Sequence, residues 1–253
     1  MNEAVELAHR QGILTTASLM VAGPAAADAV RRARALPSLA IGLHLVVVEG
    51  ESALPGEAPF GSDQLRLGLE YFFSRRGRRR LAAEIDAQYR AFAATGLTLD
   101  HANAHKHMHV HPTVGRLLIE TGSAYGLRAL RIPAEPPALM RACGVAQGPA
   151  AHAMAGWTGV LRRMGRRAGL VMNDWVLGLA WSGHMTADRL LRAAPHLPPG
   201  LGEIYFHPAT GKNALFQRLM PDYEPDAELA ALLDPAVRAA LGTARTWAAP
   251  ETL

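Results

Sequence analysis

Five histidines lie within eleven residues of this chain, which contains eleven histidines in total. Imidazole is the commonest metal ligand among side chains, and it titrates closest to neutral pH. Such a cluster makes a poor apolar core but a good wall for a polar, metal-binding site. The alternative is a surface loop that happens to be rich in histidine. The five residues are His101, His105, His107, His109 and His111.

The spacing within this cluster is that of a β-strand. From His105 to His111 every second residue is a histidine. Alternate side chains of a strand point to the same face. The pattern therefore predicts a row of four imidazoles along one face of a strand.

Three histidines are predicted to stand near the carboxyl ends of different strands. His44 interrupts an otherwise apolar strand, His105 follows the strand predicted at 97–103, and His207 ends the strand predicted at 202–207. In β/α barrels the catalytic groups gather at the carboxyl ends of the strands. The three side chains therefore favour a mononuclear metal site with a separate general acid. For His44 alone, a core histidine bonded to a neighbour is the alternative, because a buried polar group must be satisfied.

The elements that would position these side chains alternate along the chain. An amphipathic helix is predicted at the start, in residues 1–10, and residues 134–180 have mixed helical character. The alternation favours an α/β fold, either a β/α barrel or a layered domain. The predicted strands are 13–21, 40–48, 97–103, 129–132 and 202–207, and the further helices are 25–35, 81–94, 113–125, 186–194 and 226–240.

Composition limits the class of protein. A chain of 253 residues, 49% hydrophobic and 19% charged, predicts one large globular domain over residues 1–253. Its single cysteine, Cys143, excludes an internal disulfide framework and a cysteine-based zinc cluster. The apolar runs are too short to span a bilayer, and residues 1–10 do not resemble a signal peptide. We therefore expect a cytoplasmic protein without a transmembrane segment.

The formal charge of +4 raises the question of a nucleic-acid partner. The arginines cluster in residues 75–80 and 162–167 without interleaved aromatic residues or a recognisable nucleic-acid-binding motif. We therefore expect no nucleic-acid partner. Such runs of arginine usually lie on solvated helix faces. If they bind a ligand, an anionic or lipid-associated substrate is favoured over nucleic acid.

Four segments, in this order, resemble the YdjC-type carbohydrate deacetylases, and within them the branch associated with hopanoid biosynthesis. They are GILTTASLMV at residues 12–21, PSLAIGLHL at 37–45, HANAHKHMHVHP at 101–112 and FHPA at 206–209. The resemblance implies a distorted β/α barrel of the glycoside hydrolase/deacetylase kind. It also implies metal-dependent removal of an N-acetyl group from an amino sugar or glycolipid sugar.

The resemblance implies a role for four residues. Two metal-binding histidines of the family map onto His44 and His105, and a late histidine that acts as a general acid, or orients one, maps onto His207. An arginine that shapes the site maps onto Arg131. The family points to Mg²⁺, while a site built from histidines suits Zn²⁺ or another transition metal as well. The implied partner is the N-acetylated sugar, and a homo-oligomer stays open.

The remaining histidines of the cluster have lesser roles in this interpretation. His107 is the best substitute ligand. His109 and His111 are expected to orient the ligating residues or to be structural.

The chain departs from the family at its first strand. Members have a strand that ends in Ala-Asp-Asp-Phe-Gly, and one aspartate completes the metal site while the other is the catalytic base. Residues 1–253 contain no counterpart, so the sequence predicts a domain that is truncated at its N-terminus, either by a start assigned too late or as a degenerate form, and that is inactive or nearly so as written. Two other classes stay open: another metal hydrolase such as a phosphoesterase, and a non-catalytic sugar-binding or scaffold homologue.

Overall fold

The computed structural model describes residues 1–146, 148–212 and 214–242, without the side chains of residues 149–155 and 215. The chain divides into two compact units. The large unit comprises Thr16–Ile132 and Ala153–Met172, and the small unit comprises Met1–Thr15, Pro133–His152 and the described residues from Asn173 onward.

The large unit is built on a parallel sheet in which every strand lies beside its neighbour in the chain. Strand β3 is buried along its whole length, as expected for a strand covered on both faces. Parallel neighbours bring their carboxyl ends to one edge of the sheet, which is where the histidine cluster follows β3. The strands are β1 (Thr16–Leu19), β2 (Ala40–Leu45), β3 (Leu99–Ala104), β4 (Ala129–Leu130) and β5 (Val171–Met172).

The small unit contains a second, two-stranded parallel sheet formed by β6 (Trp175–Leu177) and β7 (Gly202–Ile204). Its apolar core is formed by helices packed with these strands, and Met140, Leu177 and Met185 are fully buried there. Burial of such side chains contributes roughly 1.5–3 kcal/mol each.

Eleven helices accompany the strands in the described part of the chain, and none of them is long and apolar enough to cross a membrane. They are α1 (Asn2–Gln11), α2 (Ala26–Arg34), α3 (Gln64–Phe73), α4 (Arg75–Ala94), α5 (Pro112–Ala124), α6 (Pro137–Ala142), α7 (Pro149–Arg167), α8 (Ala187–Ala193), α9 (Ala214–Leu219), α10 (Pro225–Leu233) and α11 (Pro235–Leu241).

Two helix boundaries differ from the prediction for local reasons. Helix α4 begins at Arg75 rather than at residue 81, because the Ser74 hydroxyl accepts a hydrogen bond from the Gly77 amide and starts the helix earlier. The helix predicted over residues 226–240 is two helices. Asp234 precedes a proline, which disfavours helical geometry, and its carboxylate caps the first turn of α11.

The predicted row of imidazoles on a strand is wrong. Strand β3 ends at Ala104, and His105–Val110 forms a tight 3₁₀ segment with a kink. Lys106 and His107 have φ values of 49° and 56°, in the left-handed region that residues other than glycine rarely adopt. The left-handed pair turns the chain away from the strand direction, so the histidines point to different surroundings.

The predicted α/β class with parallel strands is confirmed. Closure into a barrel is not seen within the two sheets, because the described strands form one five-stranded and one two-stranded sheet. Strand β1 bonds to β2 on one side, and its other edge is not paired with any described strand.

Candidate active site

Two of the predicted metal ligands lie side by side in the large unit. His44 is near the end of β2, and His105 follows directly after the neighbouring strand β3. Their ring centroids are 5.7 Å apart, with one ring edge-on to the other at 70°. Two imidazoles that share one ion at about 2.0–2.1 Å have centroids roughly 5 Å apart. The spacing therefore suits a pair of ligands.

Strand pairing explains how residues so distant in sequence meet. His44 is in register with Asn103 on β3, and Leu45 is in register with Ala104. Because the strands are parallel, the residue that follows Ala104 emerges next to the end of β2. The pair of histidines is thus a direct product of the β2–β3 register.

His44 is held by the side chain of its partner across the register. Its Nδ1 lies 2.5 Å from Oδ1 of Asn103, which is completely buried. Asn103 in turn donates from Nδ2 to the hydroxyl oxygen of Ser18 on β1, at 2.9 Å. The asparagine therefore links the candidate ligand to the first strand of the sheet.

The chain of hydrogen bonds continues to a buried acid. Oγ of Ser18 lies 2.9 Å from Nε2 of His101, and Nδ1 of His101 lies 2.8 Å from Oδ2 of Asp100. Asp100 is 5% exposed and His101 is 0% exposed, so water does not compete for these partners. We call the five residues Asp100, His101, Ser18, Asn103 and His44 the relay.

The relay has a direction once the acceptor at its buried end is fixed. A carboxylate can only accept, so His101 donates from Nδ1 to Asp100, and the neutral form of this ring accepts at Nε2 from the Ser18 hydroxyl. Ser18 then accepts from the Asn103 amide, whose oxygen accepts from Nδ1 of His44. This order leaves Nε2 of His44 without a proton and able to bind a cation.

A glycine makes the relay possible. Ser18 and Gly42 are in register on β1 and β2, and His101 belongs to β3 on the far side of β2. A Cβ on Gly42 would lie 2.5 Å from both Nε2 and Cδ2 of His101. The ring of His101 uses the space of the missing side chain. A register shift between Ile41 and Leu43 accompanies this crossing.

His109 is structural, in agreement with the prediction. Its Nε2 donates to the backbone oxygen of Arg131 at 3.0 Å, and the residue is completely buried. Burial, reinforced by the nearby positive charge of Arg131, lowers the pKa of His109 to about 3. The imidazole is therefore neutral over the physiological range and ties the histidine segment to the end of β4.

Arg131 follows β4 directly, and its backbone amide donates to the carbonyl of Ala102 at 3.1 Å. The residue is 8% exposed. The β3–β4 pairing thus fixes its position beside the histidine segment, while the guanidinium group remains the predicted site-shaping group.

The other two histidines of the cluster have ring contacts with residues outside the His44–His105 pair. His107 has its ring centroid 6.2 Å from that of His109. His111 precedes α5 and packs edge-on against Phe72 of α3, with centroids 5.4 Å apart. Burial lowers the pKa of His111. Its packing indicates a structural role, as predicted.

An ion pair spans two strained positions beside the site. Lys106 forms a salt bridge with Glu49, and both residues have positive φ values. Left-handed conformations at such residues cost on the order of 1–3 kcal/mol each and cluster at functional sites.

Burial lowers the pKa of His105, helped by the positive charge of Lys106. His105 therefore presents a neutral imidazole near pH 7.

His207 lies in the small unit, just after β7. Its backbone amide donates to the completely buried carboxylate of Glu228, which also accepts from the Met185 amide at 3.0 Å. Its ring packs edge-on against Tyr205 and Tyr223, with centroids 5.6 and 5.2 Å away. Burial raises the pKa of Glu228. These contacts fix the segment that carries the predicted general acid.

The donor set fits a metal ion only in part. His44 and His105 offer two imidazoles at a suitable spacing, yet the described residues contain no group of three histidine, cysteine or acidic side chains placed to hold an ion together. The third ligand that the resemblance implies is an aspartate, which residues 1–253 lack at the corresponding place.

The structure thus brings His44 and His105 together and places Arg131 next to the same segment. Sequence reasoning assigned no role to Asp100, Ser18, Asn103 or Gly42. The polar residues Asp100 and Asn103 inside a predicted central strand are the available signal, since buried polar groups need partners. Their partner on β1 could not be identified without the register.

Comparison with known proteins gives consistent matches. The profile described as YdjC-like protein matches residues 1–243. A protein of Brevibacillus brevis named carbohydrate deacetylase is 32% identical over 140 residues, covering 54% of this chain and 54% of that protein. A mouse protein of the same name is 32% identical over 230 residues, covering 82% of this chain and 73% of the mouse protein.

The matches to the bacterial relatives span about half of their length. A crystal structure from Enterococcus faecalis V583, of a protein named for cellobiose-phosphate cleavage, superposes with a TM-score of 0.69 at 18% identity. The superposed region covers 95% of this chain and 87% of the chain from Enterococcus faecalis. At this identity the likeness supports the fold alone.

Proposed function

The chain belongs to the YdjC-like protein family, and we propose that it acts as a metal-dependent deacetylase on an N-acetylated amino sugar. The observation that carries the proposal is the pair formed by His44 and His105, whose rings are 5.7 Å apart at the ends of adjacent strands. The relatives named carbohydrate deacetylase support the reaction type.

His44 and His105 would hold the divalent ion through neutral imidazoles. The relay supports this role for His44 because it places the ring proton on Nδ1, and burial supports it for His105 because it disfavours protonation. A bound ion supplies Lewis acidity toward the amide carbonyl and lowers the pKa of a bound water. By resemblance the ion is Mg²⁺, and the two imidazoles also suit Zn²⁺.

His207 is the proposed general acid, which would protonate the departing amine. The bond from its amide to Glu228 supports a fixed position for its segment. Arg131 is proposed to shape the site and to place positive charge where the amide oxygen gains negative charge.

The proposed catalytic carboxylates lie on an additional strand. The edge of β1 that no described strand pairs with supports this proposal, since a parallel strand placed there would end beside the relay. With that strand, we propose that residues 1–253 form part of a single domain with a barrel-like sheet. Without it, the chain would lack both the third ligand and the base.

The proposed substrate is an amino sugar carried by a glycolipid, in the cytoplasm and in hopanoid metabolism. The resemblance of the motifs at residues 37–45 and 101–112 to the hopanoid-associated branch supports this assignment.

The proposal is tested by measuring acetate release from N-acetylglucosamine conjugates. Residues 1–253 are compared with the same chain preceded by its natural upstream coding sequence, at matched metal loading. We expect the longer form to release acetate only when a divalent ion is present, and His105→Gln to abolish release. Activity that survives a chelator, or release of phosphate from a sugar phosphate instead, would assign a different reaction.

A further inference from the structure

Helix α3 carries an exposed apolar stripe. Four large side chains follow the i, i+4, i+7, i+8 spacing of one helix face, and they are 75%, 52%, 44% and 75% exposed. Single exposed apolar residues are ordinary, whereas a contiguous group on one helix marks an interaction surface. The four residues are Leu65, Leu69, Phe72 and Phe73.

Positive charge borders this stripe. Residues 63–80 contain six arginines and two acids, Asp63 and Glu70. Asp63 is occupied in capping α3, where it accepts from the Arg66 amide. Among the described residues, the exposed guanidinium groups of Arg75, Arg76 and Arg79 have no acidic partner within salt-bridge distance. Exposed apolar side chains beside unpaired arginines are the composition of a surface that binds anionic lipid.

The same helix also contacts the histidine segment that follows β3. Gln64 donates from Nε2 to the carbonyl of Lys106 at 3.0 Å, and Phe72 packs against His111. The Tyr71 hydroxyl donates to the Val47 carbonyl at 2.7 Å. The stripe is therefore held at a fixed position next to the histidine segment.

We propose that the stripe on α3 and the arginines at the start of α4 dock the protein onto an anionic membrane surface. The apolar side chains enter the boundary between headgroups and acyl chains, and the arginines face the lipid phosphates. In combination with the proposed function, on which this step rests, docking brings the sugar of a membrane-held glycolipid to the His44–His105 pair.

The test is flotation of the purified protein with vesicles of phosphatidylcholine, with and without 30% phosphatidylserine. We expect binding to the anionic vesicles that weakens as salt is raised. Leu65→Ser/Leu69→Ser/Phe73→Ser and, separately, Arg75→Glu/Arg76→Glu/Arg79→Glu should each reduce binding by more than about tenfold. Far-ultraviolet circular dichroism verifies that each variant is folded.

Two matched controls change the same chemistry elsewhere. Val160→Ser/Leu191→Ser/Leu219→Ser removes exposed apolar side chains, and Arg163→Glu/Arg166→Glu/Arg167→Glu reverses another arginine cluster. Both should bind like the unchanged protein. Equal loss in the controls, no binding to anionic vesicles at low salt, or a dimer that the α3 substitutions dissociate without any vesicle binding would each overturn the proposal. Vesicle binding needs no catalysis, so it can stand if the deacetylase assignment fails.

Discussion

Ser18 on β1 and His101 on β3 form a hydrogen bond of 2.9 Å across the strand that separates them. The bond is possible because Gly42, on the intervening strand, leaves room for the imidazole. It joins a buried acid, Asp100, to the candidate ligand His44 through side chains from three strands.

Gly42→Ala should break the relay and destabilise the protein. The new methyl group would also lie 2.5 Å from the backbone oxygen of His101, which cannot rotate away. We expect a loss of about 1–3 kcal/mol in the free energy of unfolding, as for other overpacked sites. Gly61→Ala is the control, since nothing lies within 4 Å of its Cβ position. Equal unfolding midpoints in urea for the two variants would contradict the crowding.

The direction of the relay predicts the tautomer of His44. In the metal-free protein at pH 8, ¹⁵N NMR of the imidazoles should show the proton on Nδ1 of His44 and on Nδ1 of His101. Ser18→Ala removes the link between Asn103 and His101 and should allow both His44 tautomers to be populated. A dominant Nε2–H tautomer of His44 in the unchanged protein would show that the relay runs the other way.

The relay also shows where sequence reasoning stops. The sequence predicts strands β2 and β3 and places His44 within β2. It also predicts helix α5 from its helical periodicity. The alternation of the histidines predicts a strand wrongly, because the left-handed conformations of Lys106 and His107 have no signature in the sequence. Ser18 and Gly42 acquire their roles only through the parallel register, which places both beside His101, more than fifty residues further along the chain.

His109 should make the protein sensitive to acid. Its folded pKa of about 3 lies below the ordinary value of 6.5, so protons bind preferentially to the unfolded chain as pH falls between these values. Stability contributed by this group is complete above pH 6.5 and is lost at about 1.4 kcal/mol per pH unit below it. The charged and titratable groups that act on it are Arg131 and His44, and its ring neighbour is His107.

His109→Gln keeps a donor for the Arg131 carbonyl and removes the titration. Urea unfolding between pH 7 and pH 4 should therefore give a shallower loss of stability for this variant than for the unchanged protein. His196→Gln, at an exposed position, is the control and should follow the unchanged protein. Identical pH slopes for all three proteins would show that His109 is not the group responsible.

Glu228→Gln should loosen the segment that carries His207. The buried carboxylate accepts from the amides of both His207 and Met185, and a glutamine has only one accepting oxygen. One buried amide would lose its partner, which costs about 1–3 kcal/mol. Glu224→Gln, whose side chain is 55% exposed, should change stability little. Hydrogen exchange at the His207 amide reports the local effect, and unchanged protection in Glu228→Gln would refute it.

The central claim is that His44 and His105 bind one metal ion together, and a calorimetric titration of Zn²⁺ into the metal-free protein tests it most directly. We predict one site that needs both imidazoles. His44→Gln and His105→Gln should each weaken Zn²⁺ binding by more than about tenfold. The double variant should bind little more weakly than either single variant, because the two imidazoles act on the same ion. Retention of the same affinity and stoichiometry in the double variant would contradict the claim.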